Sequence, residues 1–156
     1  MAFDRAKDYL TARGLGGRVM EFDVSSATVE LAAEAVGCAP EHIAKTLSFD
    51  LKGRTILIVT AGDRKIDNSK FKAQFGGKAV MLPFDQVEER TGHAVGGVCP
   101  FAVKEGAEVF LDLSLKRFDT VYPACGNASS AVRLTPDELE GALEGAVWID
   151  VCKGNG

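Results

Sequence analysis

Between Ile43 and Gly62 the chain reads as two apolar runs rich in β-branched residues, "IAKTLSFDL" and "TILIVTAG", separated by the short turn "KGR". Two such runs around a glycine-containing turn are the signature of a β-hairpin. The middle of the chain is therefore committed to a sheet, and the flanking segments have to be read around it.

On the N-terminal side, "FDRAKDYLTARG" puts Phe3, Ala6, Tyr9 and Leu10 on one helical face and closes at Gly14. "RVMEFDV" reads as a short strand. "SSATVELAAEAVGCAP" reads as a helix with Ser26 as its cap, Glu30 in its first turn and Gly37 as its stop. After the hairpin, "IDNSKFKAQFGG" is expected to be a helix capped by Asp67 or Asn68 and stopped at Gly76, and "KAVMLP" a short strand. "PFDQVEERTG" is expected to be a helix opened by Pro83 or Phe84 and stopped by Gly92. Three further strand candidates follow, "AEVFLDL", "DTVYPA" and "SAVRL". Then comes a helix in "TPDELEGAL", with Thr135 at its cap, Pro136 at its first position and Glu138 in its first turn, and a last strand in "AVWIDVC".

No repeat, low-complexity tract or linker interrupts this order, so residues 1–156 are expected to form a single domain. Hairpin-clustered strands with helices between some of them predict an α+β fold whose sheet is mixed and largely antiparallel, flanked by helices. A composition of 46% hydrophobic and 26% charged residues is that of a globular protein. No apolar run reaches the roughly 18 residues of a membrane span, and "MAFDRAKDYL" lacks a signal-peptide core, so the expected address is the cytoplasm. The net charge of −4 argues against a general nucleic-acid coat, DNA included, while leaving room for a local site for one RNA end. The cysteines at 38, 99, 125 and 152 are scattered, without C-x-x-C spacing, which reads as reduced thiols with neither a metal site nor a cofactor.

Three stretches carry candidate chemistry. In "HIAKTLSFDL", strand alternation puts Ile43, Lys45 and Leu47 on one face and Ala44, Thr46 and Ser48 on the other. A lysine on a buried face is costly unless its ammonium reaches a pocket or an anion, although a long stem at a strand end can also snorkel to water. In "GHAVGGVCPF", Gly96 and Gly97 permit close approach of a ligand to main-chain N–H groups and Pro100 stiffens the exit. A tight connection or bulge would use the same residues. "YPACGNASSAV" is a turn rich in small polar residues, suited to a polar pocket or to an exposed hairpin loop. Cys99 lies six residues from His93, so a thiolate with an imidazole base is a further arrangement, below a structural thiol in weight. His42 reads as a residue of a surface turn.

Taken in order, "AKTLSFD" (44–50), "GHAVGGVCPFAVKE" (92–105) and "FDTVYPACGNASSAVRL" (118–134) resemble the YbaK family, free-standing relatives of the editing insertion domain of bacterial prolyl-tRNA synthetase. The resemblance runs from about residue 19 to 143 and rests on the lysine strand followed by a G-x-x-x-P loop. It implies a strongly bent mixed sheet and trans-editing: hydrolysis of the aminoacyl ester at the 3′ end of mischarged tRNA, notably tRNA for proline carrying cysteine, alanine, serine or a similarly small residue. Lys45, Gly96 and Gly97 are then the expected catalytic residues. Lys45 would hold the terminal adenosine and its phosphate, and the loop amides would receive the ester carbonyl. Thr46, Val98, Cys99, Pro100, Gly126 and Ser129 are the expected substrate contacts, the aminoacylated tRNA 3′ end the partner, and prolyl-tRNA synthetase a second partner. Some members carry Lys-Arg-Gly where this chain has Asn127, Ala128 and Ser129, which leaves the amino-acid preference open. The alternatives are a non-catalytic module binding an RNA end or an adenosine-containing ligand, and a thiol enzyme acting through Cys99.

Overall fold

In the computed structural model, which describes residues 2–155, the chain runs α1 (Ala2–Thr11), β1 (Val19–Glu21), α2 (Val29–Val36), β2 (Ile43–Leu51), β3 (Arg54–Ala61), α3 (Asn68–Phe75), α4 (Val87–Thr91), β4 (Glu108–Asp112), β5 (Tyr122–Pro123), β6 (Ser130–Val132), α5 (Pro136–Ala142) and β7 (Val147–Ile149). The hairpin forms where expected, with Leu51 opposite Arg54 across a two-residue turn whose central residues, Lys52 and Gly53, both have positive φ. It is the centre of a curled five-stranded sheet ordered β5-β2-β3-β4-β7, beside a separate β1/β6 pair.

Both faces of the sheet are covered, which explains why β3 is buried without interruption from Ile56 to Ala61. One face packs Ala44, Val59 and Ala61 against Phe101, Leu115, Leu134 and Leu139 and against Ala6 and Leu10 of α1. The other packs Phe49, Ile56 and Ile58 against Phe71 of α3, Ile149 and Val151. Each large apolar side chain so buried contributes about 1.5–3 kcal/mol. A smaller cluster joins Ala32 and Ala33 of α2 to Ile43, Cys38 and Tyr122. Among the described residues no helix is long and apolar enough to cross a membrane.

The helix at 136–142 starts as read, with Thr135 and Glu138 forming a reciprocal capping box. Four expectations are corrected. The cap of α2 is Thr28, whose side chain accepts from the Leu31 amide, because Ser26 is drawn inward to Ser130. "KAVMLP" makes only one antiparallel bridge, Met81 to Phe49, since Pro83 follows directly and cannot extend a ladder. "PFDQVEERTG" divides into a 3₁₀ turn at Phe84–Gln86 and the short α4. The sheet is mixed as expected, but among the described residues the antiparallel ladders are the hairpin and β1/β6, accompanied by isolated antiparallel bridges. The β2/β5, β3/β4 and β4/β7 ladders are parallel, because each joins strands connected by long crossovers rather than by turns.

Candidate active site

The outer edge of β2 is covered at both ends and open between them. Near its start, Ile43 and Ala44 pair with Tyr122 and Pro123 of β5. Further along, the Ser48 carbonyl accepts from the Leu82 amide and the Asp50 amide donates to the Val80 carbonyl. Ser48 and Asp50 thus turn their main-chain groups away from β3, and by the two-residue period of the strand Thr46 does the same. A cavity of about 340 Å³ lies along this opening. Its walls are Ala27 to Val29 and Ala32, Ile43 to Thr46 and Ser48 of β2, Met81, Leu82, Phe84 and Val87, Val95, Gly96 and Val98, and Tyr122, Ala124, Ser130 and Ala131. Most of that lining is apolar, so the few polar atoms in it stand out. One is the Thr46 hydroxyl, whose oxygen is buried without a hydrogen-bond partner among the described residues.

Lys45 is half-buried, and its ammonium donates to the carbonyls of Arg64 at 2.6 Å and Gly62 at 3.3 Å. An ammonium has three donors, so one N–H is left for a ligand. Burial pulls the Lys45 pKa below its ordinary value, with nearby Cys152 and Asp63 acting in the opposite sense and Lys65 in the same one. The group is thus a cation held by main-chain dipoles at the edge of an apolar cavity.

The glycine loop divides its roles. Gly96, at φ +90°, lines the cavity and sits where an added Cβ would lie 3.2 Å from that of Ala27. Gly97 does not line it. Its amide donates to the Ala94 carbonyl at 3.0 Å, and a Cβ there would lie 2.6 Å from the Asn127 Cα, so this glycine lets two backbones touch. Val98 returns to the cavity wall. The amides of Gly96 and Val98 have no acceptor among the described residues. With the amide of Val95, which likewise has none and also lines the cavity, they are loop donors left free to meet a carbonyl oxygen.

Five expected site residues lie off the wall. Cys99 is fully buried, with its sulfur 3.6 Å from His93 Nε2, and burial pushes its thiol up to about 12. His93 is buried too, its Nε2 2.7 Å from the Phe101 carbonyl, and burial depresses its pKa. The two residues do meet, but in the core, where neither a thiolate nor an imidazolium is favoured and no substrate can reach. Pro100 borders a different groove, beside Tyr9 and Arg13. Gly126, at φ +84°, leaves space for the Ala2 carbonyl of α1 and has no place in the wall. Ser129 uses its carbonyl to accept from Phe22 and its amide to donate to the Asn127 side chain. Gly97, Cys99, Pro100, Gly126 and Ser129 thus shape the two loops rather than line the cavity.

Ser26 and Ser130 reach the wall instead, and sequence reasoning missed them. Ser26, in the segment after β1, meets Ser130 at the start of β6: the Ser130 amide donates to Ser26 Oγ and the Cys125 amide to Ser130 Oγ. The signal present was a second serine adjacent to Ser129 and a serine two residues before the true cap. His42 is outside the cavity, with Nδ1 3.1 Å from the Thr120 carbonyl and its ring against Phe118. Among the described residues no group of three or more His, Cys, Asp or Glu side chains could hold a metal ion.

This fold is shared by solved structures over almost the whole chain. One, named "a putative trans-editing enzyme for prolyl tRNA synthetase", superposes with a TM-score of 0.87 at 32% identity, covering 98% of each chain. Another, the hypothetical protein APE2540, gives 0.86 at 30% identity over 96% of this chain and 99% of that one. In sequence, the uncharacterized protein YwhH of Bacillus subtilis is 52% identical over 98% of both chains. A proline–tRNA ligase of Maridesulfovibrio salexigens is 33% identical over 78 residues, which is 49% of this chain and 13% of that ligase. The profile of the aminoacyl-tRNA editing domain family matches residues 24–142, and the chain belongs to this YbaK-like family.

Proposed function

We propose that the protein is a trans-acting aminoacyl-tRNA deacylase, hydrolysing the ester at the 3′ end of mischarged tRNA in the cytoplasm. The observation that carries this reading is the Lys45 ammonium, fixed by two carbonyls with its third N–H left over, next to an apolar cavity with free amides at Gly96 and Val98. An ester needs its carbonyl polarised and its leaving group fixed. Backbone N–H groups in a partly dry site supply the first, and a positioned cation supplies the second by holding the terminal ribose and phosphate. Water, or the substrate's own hydroxyl or thiol, then attacks, so no protein nucleophile is required. This agrees with the inert state of Cys99.

Thr46 and Val98 are the proposed substrate contacts inside the cavity, joined by Ser26 and Ser130. Gly97, Cys99, Pro100, Gly126 and Ser129 act indirectly by fixing the loops. The similarity to proline–tRNA ligases supports tRNA for proline as the carrier and a small residue such as cysteine, alanine or serine as the cargo, with the synthetase as a partner. Exclusion of larger residues by the wall is worth only about 1–3 kcal/mol per methylene.

The test is deacylation of tRNA for proline charged in turn with cysteine, alanine, serine and proline, by the wild type and by Lys45→Ala. Selective loss of a non-cognate ester, slowed by on the order of a hundredfold or more by the substitution, is the expected result. Saturable binding without turnover of any ester would replace this reading with that of a binding module.

A further inference from the structure

The loop that holds Lys45 is itself held by the C-terminal segment, which lies outside residues 24–142 matched by the family profile. Its anchor is Asp112, at the end of β4 and fully buried. One carboxylate oxygen accepts from the Val151 amide at 2.9 Å, and the other from the Ser114 amide at 2.9 Å and the Asn155 side chain at 3.0 Å. Burial alone would raise the Asp112 pKa, but the bonds from Val151, Asn155 and Ser114 overcome it and keep the carboxyl below its ordinary value.

From this anchor two routes lead to the acceptors of Lys45. Along the first, the Ser114 hydroxyl accepts from the Ala61 amide at 3.0 Å, immediately before Gly62. Along the second, the tail clips onto the 64–67 loop: the Asp67 amide donates to the Val151 carbonyl at 2.8 Å, the Lys153 amide donates to the Lys65 carbonyl at 2.9 Å, and Ile66 pairs with Cys152 in an antiparallel bridge. Lys70 adds a bond from its ammonium to the Cys152 carbonyl at 3.0 Å. The Arg64 guanidinium lies under Gly154, where an added Cβ would come within 2.9 Å of Nη1. The carbonyls of Gly62 and Arg64 therefore sit in a loop tied down at both ends, and both ties run back to one carboxylate.

We infer that Asp112 and Asn155 are positioning residues for Lys45, and that the tail Val151–Asn155 belongs to the lysine site although it forms none of the cavity wall. The inference rests on the reading of Lys45 as the residue that holds the substrate. Its logic is geometric: an ammonium on a flexible four-carbon stem keeps one orientation only if its acceptors keep theirs, and a displacement of about 1 Å in a positioned group can cost on the order of a hundredfold in rate.

The experiment uses the full chain and two variants, Asn155→Ala, which removes one anchor bond, and Asp112→Asn, which weakens all of them. In an ¹H–¹⁵N spectrum of lysine ammonium groups, the Lys45 signal is assigned by its loss in Lys45→Ala. It is expected to be present in the wild type, because two carbonyl acceptors slow its exchange with water, and to broaden or vanish in Asn155→Ala at temperatures where the variant is fully folded. In deacylation, Asn155→Ala is expected to lower kcat by about tenfold in the wild-type background and by nothing further in the Lys45→Ala background, the non-additivity of two residues acting through one. An unchanged Lys45 signal in the folded variants, or a change confined to Lys70, overturns the inference. If the wild type hydrolyses no ester, the editing reading fails, while the ammonium spectrum still decides whether the tail holds the lysine. If Asp112→Asn does not fold, Asn155→Ala alone carries the decision.

Discussion

Two pairs of chemically suggestive groups occupy this small fold, and burial treats them in opposite ways. Cys99 and His93 touch at 3.6 Å, yet both are sealed in the core, with the thiol pushed up to about 12 and the imidazole held neutral. Lys45 and Thr46 sit at the one place where the edge of β2 is uncovered, the first half-buried with a donor to spare and the second with a hydroxyl that lacks a partner. Proximity is therefore the weaker guide to function here. A reactive group needs a partner that leaves it unsatisfied and a route for a ligand, and only the strand edge offers both.

The largest expected effect on this contrast comes from Lys45→Ala. It should reduce ester hydrolysis by on the order of a hundredfold or more while the thermal midpoint stays level or rises, because a half-buried charge has been removed. An activity loss accompanied by unfolding would erase the contrast. Next comes Gly97→Ala, whose new methyl meets the Asn127 backbone. Overpacking of this kind costs about 1–3 kcal/mol, and activity should fall by about tenfold as Gly96 moves with the loop. Paired stability and kinetic measurements check it. Cys99→Ala should cost about 1–2 kcal/mol in denaturant unfolding and leave hydrolysis within about twofold, with iodoacetamide failing to label Cys99 in the folded wild type. A large kinetic loss without loss of stability would return Cys99 to the chemistry.

The smallest effect is on the pH dependence of stability. The folded His93 pKa lies below its ordinary value of 6.5, so as pH falls through 6.5 the unfolded chain takes up a proton that the folded chain does not. Stability then declines on acidification from that point down to the folded pKa, and is insensitive to His93 above it. Replacing His93 with Gln should flatten this part of the curve. An unchanged slope would mean that the folded chain takes up a proton at His93 as readily as the unfolded one.

Much of this was legible in the residues. The hairpin, the helix stops at Gly37 and Gly76 and the Thr135–Glu138 cap follow from local chemistry, and each forms as read. Lys45, Thr46, Gly96 and Val98 do line one cavity. What was not legible depends on tertiary placement. A strand edge exists only once its neighbours are in place, so the opening at Thr46 had no local signature. Ser26 looked like a cap because a run with helical apolar spacing follows it, but its hydroxyl belongs to Ser130, more than a hundred residues away. Gly97 read as ligand clearance and Gly126 as a substrate contact, and the space at both is taken by the protein's own backbone, at Asn127 and Ala2.

The cysteine pattern has a practical side. Cys99, Cys125 and Cys152 are buried with thiols pushed up to about 12, whereas Cys38 is partly exposed. In its folded form the protein is expected to behave towards alkylating dyes as a chain with one cysteine, and a slow one, since partial burial raises the Cys38 thiol as well. That thiol packs against the cluster of Ala32, Ala33 and Ile43, of which Ala32 and Ile43 line the cavity. A fluorophore attached at Cys38 would therefore sit behind the cavity wall without entering it, giving an optical report on occupancy with no substitution elsewhere in the chain.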